Sequence, residues 1–162
     1  MLIVTRGNPR DPQAARLLQS SHALMQELFP VEDIYALDIE ELCAPDIRFF
    51  VARQEARMLG TAALAIRDGY GEVKSMFTAP EGRGRGVAAA LLRRIEDEAR
   101  SSGLPELKLE TGAALEAAMR LYARHGFVTC ARFGDYAENT TSIYMSKPLQ
   151  MPGRHRNSKN PS

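Results

Sequence analysis

The stretch MFTAPEGRGRGVAA, residues 76–89, joins a predicted strand to a predicted helix. The turn between them holds three glycines and two arginines. Glycines let the backbone approach a ligand and point successive N–H groups toward it, and the helix dipole adds positive charge to that of the arginines. The stretch therefore predicts an anion-binding turn, and a diphosphate is the group that fits it best.

Strands and helices alternate on both sides of this turn. Strands are predicted over residues 2–4, 47–52, 60–66, 72–78, 107–110, 127–132 and 142–148. Helices are predicted over residues 12–29, 36–42, 86–102 and 113–125. The three strands before the turn form an antiparallel meander, whereas the strand–helix–strand passage over 72–111 implies a parallel pair. The expected fold class is α/β, with a central mixed, mostly antiparallel sheet of about seven strands flanked by about four helices.

The composition is that of one globular domain. The chain has 162 residues, of which 44% are hydrophobic and 25% charged, and its formal net charge is +1. This balance argues against a nucleic-acid partner, and no apolar run approaches the ~20 residues that cross a bilayer. The first residues, MLIVTRGNPR, lack the pattern of a secretory signal. We expect a domain over residues 1–149, a cytoplasmic location and no membrane partner.

The last residues, 150–162, read QMPGRHRNSKNPS and predict a flexible basic tail. They carry Arg154, Arg156 and Lys159 but no acid and almost no apolar side chain. Such a segment does not offset its own ordering entropy. A frayed tail is therefore favoured over a nucleic-acid-binding arm.

The cysteines and histidines predict no metal site. Cys43 and Cys130 lie far apart in the sequence, and the three histidines are scattered. Metal ligands usually occur at short spacings that one loop or helix face can present. We expect no metal and two buried thiols.

Two nucleotide-binding motifs compete for the glycine-rich turn. Gly84, Gly86 and Ala89 satisfy the G-x-G-x-x-G/A pattern of dinucleotide-binding domains, and Glu110 follows near the position of a ribose-binding acid. That pattern needs the strand to run directly into the first glycine, whereas residues 78–83 intervene here. An ATP-type loop fails because no Gly-Lys-Ser/Thr follows the glycines. A dinucleotide-dependent oxidoreductase is thus the weaker alternative.

Two blocks of sequence together resemble a known family. Residues 83–88, RGRGVA, preceded by Pro80, are similar to the R/Q-x-x-G-x-G/A signature of the GNAT superfamily of N-acetyltransferases. Residues 121–127, LYARHGF, resemble that family's later LYxxxGF segment. The order of elements agrees over residues 2–149. The resemblance implies a GNAT fold of the small, stand-alone bacterial type, with a splay between the fourth and fifth strands (β4/β5) and, in many members, a homodimer.

The resemblance also implies a site for acetyl-CoA, with no metal. The strand residues that would lie along the pantetheine arm are Met76, Phe77 and Thr78. The turn residues that would wrap the pyrophosphate are Arg83, Gly84, Arg85, Gly86, Val87 and Ala88. The residues that would flank the thiol end are Ala118, Tyr122 and Arg124. The asparagine that many members carry after the following strand is absent, since residues 109–112 read LETG.

Tyr122 is the candidate general acid. It occupies the family's tyrosine position and would protonate the CoA thiolate as the thioester breaks. From the residues alone, a tyrosine that packs its ring into the core is the alternative.

Glu72 is the candidate general base, because it opens the strand that leads to the turn. Strand alternation predicts that Glu72, Lys74, Met76 and Thr78 share one face. The alternative is an edge carboxylate that pairs with a nearby cation. Glu110 is a rival base, and a relay through water would need no base at all.

We therefore expect an acyltransferase that moves the acetyl group of acetyl-CoA to a primary amine by direct attack in a ternary complex. The acceptor would be a small molecule or a peptide, bound near Glu110, Asp135 and Tyr136. A GNAT-fold sensor that binds acyl-CoA without turnover is the alternative from another functional class.

Overall fold

A seven-stranded sheet organises residues 1–150, the part of the chain that the computed structural model describes. The strands are β1 (Leu2–Arg6), β2 (Ile47–Gln54), β3 (Arg57–Ile66), β4 (Gly71–Thr78), β5 (Glu106–Gly112), β6 (Val128–Thr129) and β7 (Ser142–Pro148). The α-helices are α1 (Pro12–Leu28), α2 (Ile39–Leu42), α3 (Val87–Ser101) and α4 (Glu116–Arg124). Apart from Gln150, the predicted tail lies outside the described residues.

The sheet opens between β4 and β5. The strand order is β1-β2-β3-β4-β5-β7-β6, and every neighbouring pair is antiparallel except β4 and β5. These two strands run parallel but pair at only two levels, Gly71 with Leu107 and Glu72 with Lys108. Beyond Glu72 they separate. The predictions of a mixed α/β fold, of about seven strands and four helices, and of a splay between β4 and β5 are therefore confirmed.

Short polar side chains and glycines set the helix ends. Asp11 caps α1, where its carboxylate accepts a hydrogen bond from the Gln13 N–H at 2.9 Å. Asp38 and Glu41 form a reciprocal capping box, which explains why α2 begins later than the sequence predicts. α3 begins after Gly86, whose φ of +78° is left-handed and suits glycine.

Two apolar clusters cover the two faces of the sheet. Leu91, Leu92 and Ile95 of α3 pack with Tyr122 of α4 on one face. Ala14 of α1 and Leu42 of α2 belong to the cluster on the other face. The gap between β4 and β5 therefore opens on one side toward α1 and on the other side toward α4. Among residues 1–150, no helix is long and apolar enough to cross a membrane.

Two expectations about residues outside β4 were wrong. The strand predicted over 127–132 is only Val128–Thr129, because the chain then leaves the sheet for a loop whose aromatic residues, among them Phe133 and Tyr136, pack against one another. Both cysteines are free and neither is buried: Cys43, which follows the last turn of α2 at the surface, is exposed, and Cys130 is half-buried.

A bulge at Ser75 reverses the faces of β4. Two β4 residues, Ser75 and Met76, oppose the single β3 residue Ala62, and Ser75 has a φ of +55°. The buried Thr61 hydroxyl donates to the Ser75 carbonyl at 3.0 Å and holds the bulge. The prediction that residues 72, 74, 76 and 78 share one face is therefore wrong: Met76 packs into the α3 cluster, whereas Lys74 faces the α1 side.

Candidate active site

A cavity of about 710 Å³ opens where β4 and β5 separate. Its walls come from α1, from the segment between α1 and α2, from residues 73–76 of β4, from the end of β5 and from α4. Because α1 and α4 cover opposite faces of the sheet, the cavity passes through the gap between the strands. Two substrates that enter from opposite faces would meet there.

Tyr122 lines this cavity from α4 and is 5% exposed. Its ring packs edge-on against Phe127, with 5.6 Å between the centroids. No hydrogen bond between the described residues uses its hydroxyl. Burial raises the pKa of Tyr122, so that the hydroxyl stays protonated at neutral pH and can donate.

Glu110 lines the same cavity from β5. Its Oε2 accepts a hydrogen bond from the Ser142 hydroxyl at 2.7 Å. Burial raises the pKa of Glu110, and the Ser142 hydrogen bond and the charge of Lys74 oppose this only in part. A half-buried carboxyl with a raised pKa has the properties of a proton acceptor at a catalytic site.

Glu72 does not line the cavity. Only 3% of the residue is exposed, and its carboxylate interacts with three side chains. Arg67 Nε lies 3.3 Å away, Lys74 Nζ lies 3.6 Å away, and the Tyr136 hydroxyl donates a hydrogen bond to Oε2. These contacts match the ion-paired alternative for Glu72.

Lys74 and Tyr136 complete this buried cluster. The Lys74 ammonium donates to the Tyr136 hydroxyl at 2.8 Å and to the Tyr35 carbonyl at 3.1 Å. Tyr136 thereby ties the loop between β6 and β7 to β4. Thr141 also donates to Asp33 Oδ2 at 2.8 Å, which joins that loop to the segment between α1 and α2. The two segments form one continuous wall beside the strand gap.

The other predicted residues divide between the cavity and its surroundings. Met76 and Ala118 line the cavity, and Tyr136 supports its wall from behind. The predicted residues that do not line it are Phe77, Thr78, Arg124 and Asp135. Phe77 and Thr78 are half-buried, whereas Arg124 and Asp135 are exposed.

The glycine-rich turn presents free backbone donors at the start of α3. Residues 83–86 are exposed, and the φ angles of Gly84 and Gly86 are +76° and +78°. Among residues 1–150, no carbonyl accepts a hydrogen bond from the N–H groups of Gly84 or of residues 86–89. Arg85 donates to Gln54 Oε1 at 2.9 Å. Free N–H groups at a helix N-terminus form an anion site.

Phe29, which lines the cavity, and Ser142, which donates to Glu110, were not predicted as site residues. Each comes from a part of the chain remote from the glycine-rich turn, and neither belongs to a recognisable motif. Within the described part of the chain, no group of three or more His, Cys, Asp or Glu could hold a metal ion.

Known proteins share both the sequence and the fold. The sequence profile of the Acetyltransferase (GNAT) family matches residues 14–127. The chain is 40% identical over 148 residues to an IAA acetyltransferase from Azospirillum brasilense, a match that covers 90% of this chain and 97% of that protein.

Two solved structures share the fold. The ribosomal-protein-S18-alanine N-acetyltransferase from Escherichia coli matches with a TM-score of 0.73 and 23% identity, over 96% of this chain and 99% of that one. The PaiA N-acetyltransferase from Thermoplasma acidophilum, in complex with coenzyme A, matches with a TM-score of 0.70 and 16% identity, over 92% and 99%. None of these matches is an oxidoreductase. The sequence match over most of the chain and the shared fold lead to one conclusion: this chain belongs to the Acetyltransferase (GNAT) family of acyltransferases.

Proposed function

We propose that this chain transfers the acetyl group of acetyl-CoA to a primary amine by direct attack in a ternary complex. The observation that carries the proposal is the cavity through the gap between β4 and β5, which Glu110 and Tyr122 both line. A proton acceptor and a proton donor thus border one space that is open to two substrates. Holding both reactants there supplies much of the rate enhancement.

Acetyl-CoA would bind from the α3 side. The free N–H groups of Gly84 and of residues 86–89 would hold the pyrophosphate, with Arg83 adding charge. Beyond Glu72, the β4 edge that faces β5 has no strand partner, so its backbone can pair with the amides of the pantetheine arm. Met76 and Ala118 would then contact the thiol end of the cofactor.

Glu110 is the general base in this proposal. The acceptor amine is an ammonium ion at neutral pH and must lose a proton before it attacks. The raised pKa of Glu110 makes this carboxylate a better proton acceptor than an ordinary glutamate. Glu72 has its charge compensated by Arg67 and Lys74 and lies outside the cavity, so we do not assign it this role.

Tyr122 is the general acid. As the amine nitrogen forms its bond to the acetyl carbon, the carbon–sulfur bond breaks and charge develops on the CoA sulfur. The protonated Tyr122 hydroxyl donates to that sulfur and becomes a phenolate. Glu110 holds the proton taken from the ammonium, and the second proton that the nitrogen loses on becoming an amide returns through water to the Tyr122 phenolate. The products are an acetylated amine and free CoA.

The named relatives support acetyl transfer. Names that contain "acetyltransferase" recur among them, and one solved structure with the same fold holds coenzyme A. The acceptor would be a small molecule or a peptide that carries an amine.

Two measurements test the proposal together. Free-thiol release from acetyl-CoA should occur with at least one amine from a panel of amino acids, polyamines, arylalkylamines and peptides. Acetyl-CoA at about 100 times its Kd should add ~2.7 kcal/mol to the free energy of unfolding, which raises Tm by roughly 5–10 °C. No thiol release and no stabilisation by acetyl-CoA, with clear stabilisation by NADH, would overturn it.

A further inference from the structure

We infer that the acceptor is a monoamine with a bulky apolar body, its ammonium at Glu110 and its apolar part against Phe29. This inference rests on the proposed acetyl transfer to an amine and adds the chemical class of the acceptor. It follows from three features of the cavity. These are the hydrophobic side chains of the wall opposite the strand gap, the contact between Phe29 and Gly112, and the hydrogen bonds that the charged side chains already make.

The wall opposite the strand gap carries large hydrophobic side chains beside the polar Gln19, His22 and Gln26 of α1. Along α1, the segment that follows it and the start of α4, six large hydrophobic side chains line the cavity. They are Leu18, Met25, Phe29, Ile34, Leu37 and, from the residue that precedes α4, Leu115. An apolar surface in a cavity of about 710 Å³ favours a ligand that buries hydrocarbon there.

Phe29 brings this wall next to the reacting groups. Its ring lies directly on Gly112, the last residue of β5, where a Cβ atom would overlap the ring. Gly112 is two residues beyond Glu110 on the same strand. The apolar wall therefore begins close to the carboxylate that would hold the ammonium. An acceptor with a bulky apolar group near its amine would fill this space.

The charged residues of the cavity favour one cation rather than several. Glu40 is held by both of its oxygens to Arg10, at 2.8 and 2.9 Å, and Asp38 accepts from the backbone at the start of α2. Asp33, the remaining acidic residue of this part of the lining, accepts from the Thr141 hydroxyl at 2.8 Å, so that each of these carboxylates already has a hydrogen-bond partner. Lys74, beside Glu110, keeps a positive charge that opposes a second ammonium at this end.

Lys74 is also a poor partner for an acidic substrate. Its ammonium already donates to Tyr35 and Tyr136 and pairs with Glu72. An acceptor carboxylate would have to displace these buried contacts, which is costly. The arrangement therefore selects against amino acids that present a carboxylate at this position.

Three amines of matched chemistry test the inference. We expect kcat/KM for 2-phenylethylamine to exceed that for ethylamine and for 1,4-diaminobutane by about tenfold or more. Phe29→Ala should reduce this preference, measured as the ratio of the kcat/KM values for 2-phenylethylamine and ethylamine, by about tenfold. Phe29→Leu, which keeps an apolar side chain, should retain an intermediate preference. Leu28→Ala is the matched control, because Leu28 is the preceding α1 residue, is 40% exposed and does not line the cavity.

A binding measurement separates this inference from the proposed reaction. Calorimetric titration of the same amines into the complex of enzyme and free CoA should give the same order of affinities. Preferential binding of 2-phenylethylamine without thiol release from acetyl-CoA would refute the catalytic proposal but leave the acceptor class standing. Thiol release with no preference for 2-phenylethylamine, or a preference that Phe29→Ala does not change, would overturn the acceptor class alone.

Discussion

Lys74 and Glu110 lie on opposite sides of the gap between β4 and β5, each two residues beyond the last paired level, Glu72 with Lys108. Both side chains line the cavity, and the charge of Lys74 lowers the pKa of Glu110 while burial raises it. The net effect is a raised pKa, so burial is the stronger influence. The loss of strand pairing therefore creates both the space for the substrates and the setting of the proposed base.

Replacing Glu110 by Gln should remove activity without loss of stability. We expect Glu110→Gln to lower kcat/KM by about 100-fold or more, within the range for a general base. In the wild type, the acidic limb of the kcat/KM profile should lie above the ordinary glutamate pKa of about 4.3. Glu106→Gln, at the other end of β5, is the matched control and should keep its activity.

The pH dependence of the free energy of unfolding provides a second test of Glu110→Gln. Between the ordinary glutamate pKa and the raised one, the folded protein binds more protons than the unfolded chain. The Glu110 contribution to the free energy of unfolding therefore falls as the pH rises through that window. Glu110→Gln should flatten this part of the stability curve and leave the protein at least as stable at pH 7. A large loss of stability at pH 7 would contradict the raised pKa.

Replacing Glu72 by Gln should lower the stability of the protein but leave most of its activity. The change leaves the buried Lys74 ammonium without its compensating charge, so we expect the free energy of unfolding to fall by about 3 kcal/mol or more. Below the new Tm, kcat should stay within about tenfold of the wild type. Denaturant unfolding and thiol-release kinetics measure the two effects. If stability holds while kcat falls by about 100-fold, Glu72 is the base and Glu110 is not.

Gly86→Val should abolish acetyl-CoA binding while the protein still folds. A β-branched residue at a φ of +78° costs roughly 1–2 kcal/mol, and its side chain fills the space beside the free N–H groups of α3. Isothermal titration with acetyl-CoA measures the loss.

Gly103 offers a matched control at the other end of α3. Its φ is +77° and no atom lies within 4 Å of an added Cβ, so Gly103→Val introduces the same backbone strain. The two variants should lose similar stability, but only Gly86→Val should lose acetyl-CoA binding. Equal affinities in both variants would mean that the turn does not hold the cofactor.

The sequence predicts the order of the elements well because each signal is local. Asp11 and Pro12 mark the start of α1, and Gly103 marks the end of α3, as the structure confirms. The splay was expected from the family resemblance rather than from propensity, since strand patterns do not reveal where two strands cease to pair.

The contacts that shape the cavity could not be predicted from local patterns. The Ser75 bulge arises from the register between β3 and β4, so simple alternation placed Met76 on the wrong face. The contact between Phe29 and Gly112 joins two segments that are far apart in the sequence. Likewise, the burial of Glu72 against Arg67, Lys74 and Tyr136 depends on how the loop before β7 folds back onto β4.

Tyr122→Phe distinguishes a catalytic hydroxyl from a purely structural ring. The substitution keeps the ring that packs against Phe127 and removes a hydroxyl that makes no hydrogen bond among residues 1–150, so Tm should change little. Because a thiol is a fairly good leaving group, the loss of its proton donor should lower kcat by about 10- to 100-fold, at the lower end of acid catalysis. The affinity for acetyl-CoA should stay the same, as measured by isothermal titration.

Tyr70→Phe serves as the control for Tyr122→Phe. Tyr70 also packs edge-on against a phenylalanine, Phe133, but does not line the cavity, so this variant should keep the wild-type kcat. The two variants therefore remove the same atom from two edge-on aromatic pairs, of which only the Tyr122 pair borders the cavity. An unchanged kcat in Tyr122→Phe, together with a lower Tm, would assign Tyr122 to the core and leave the CoA thiolate to be protonated by solvent.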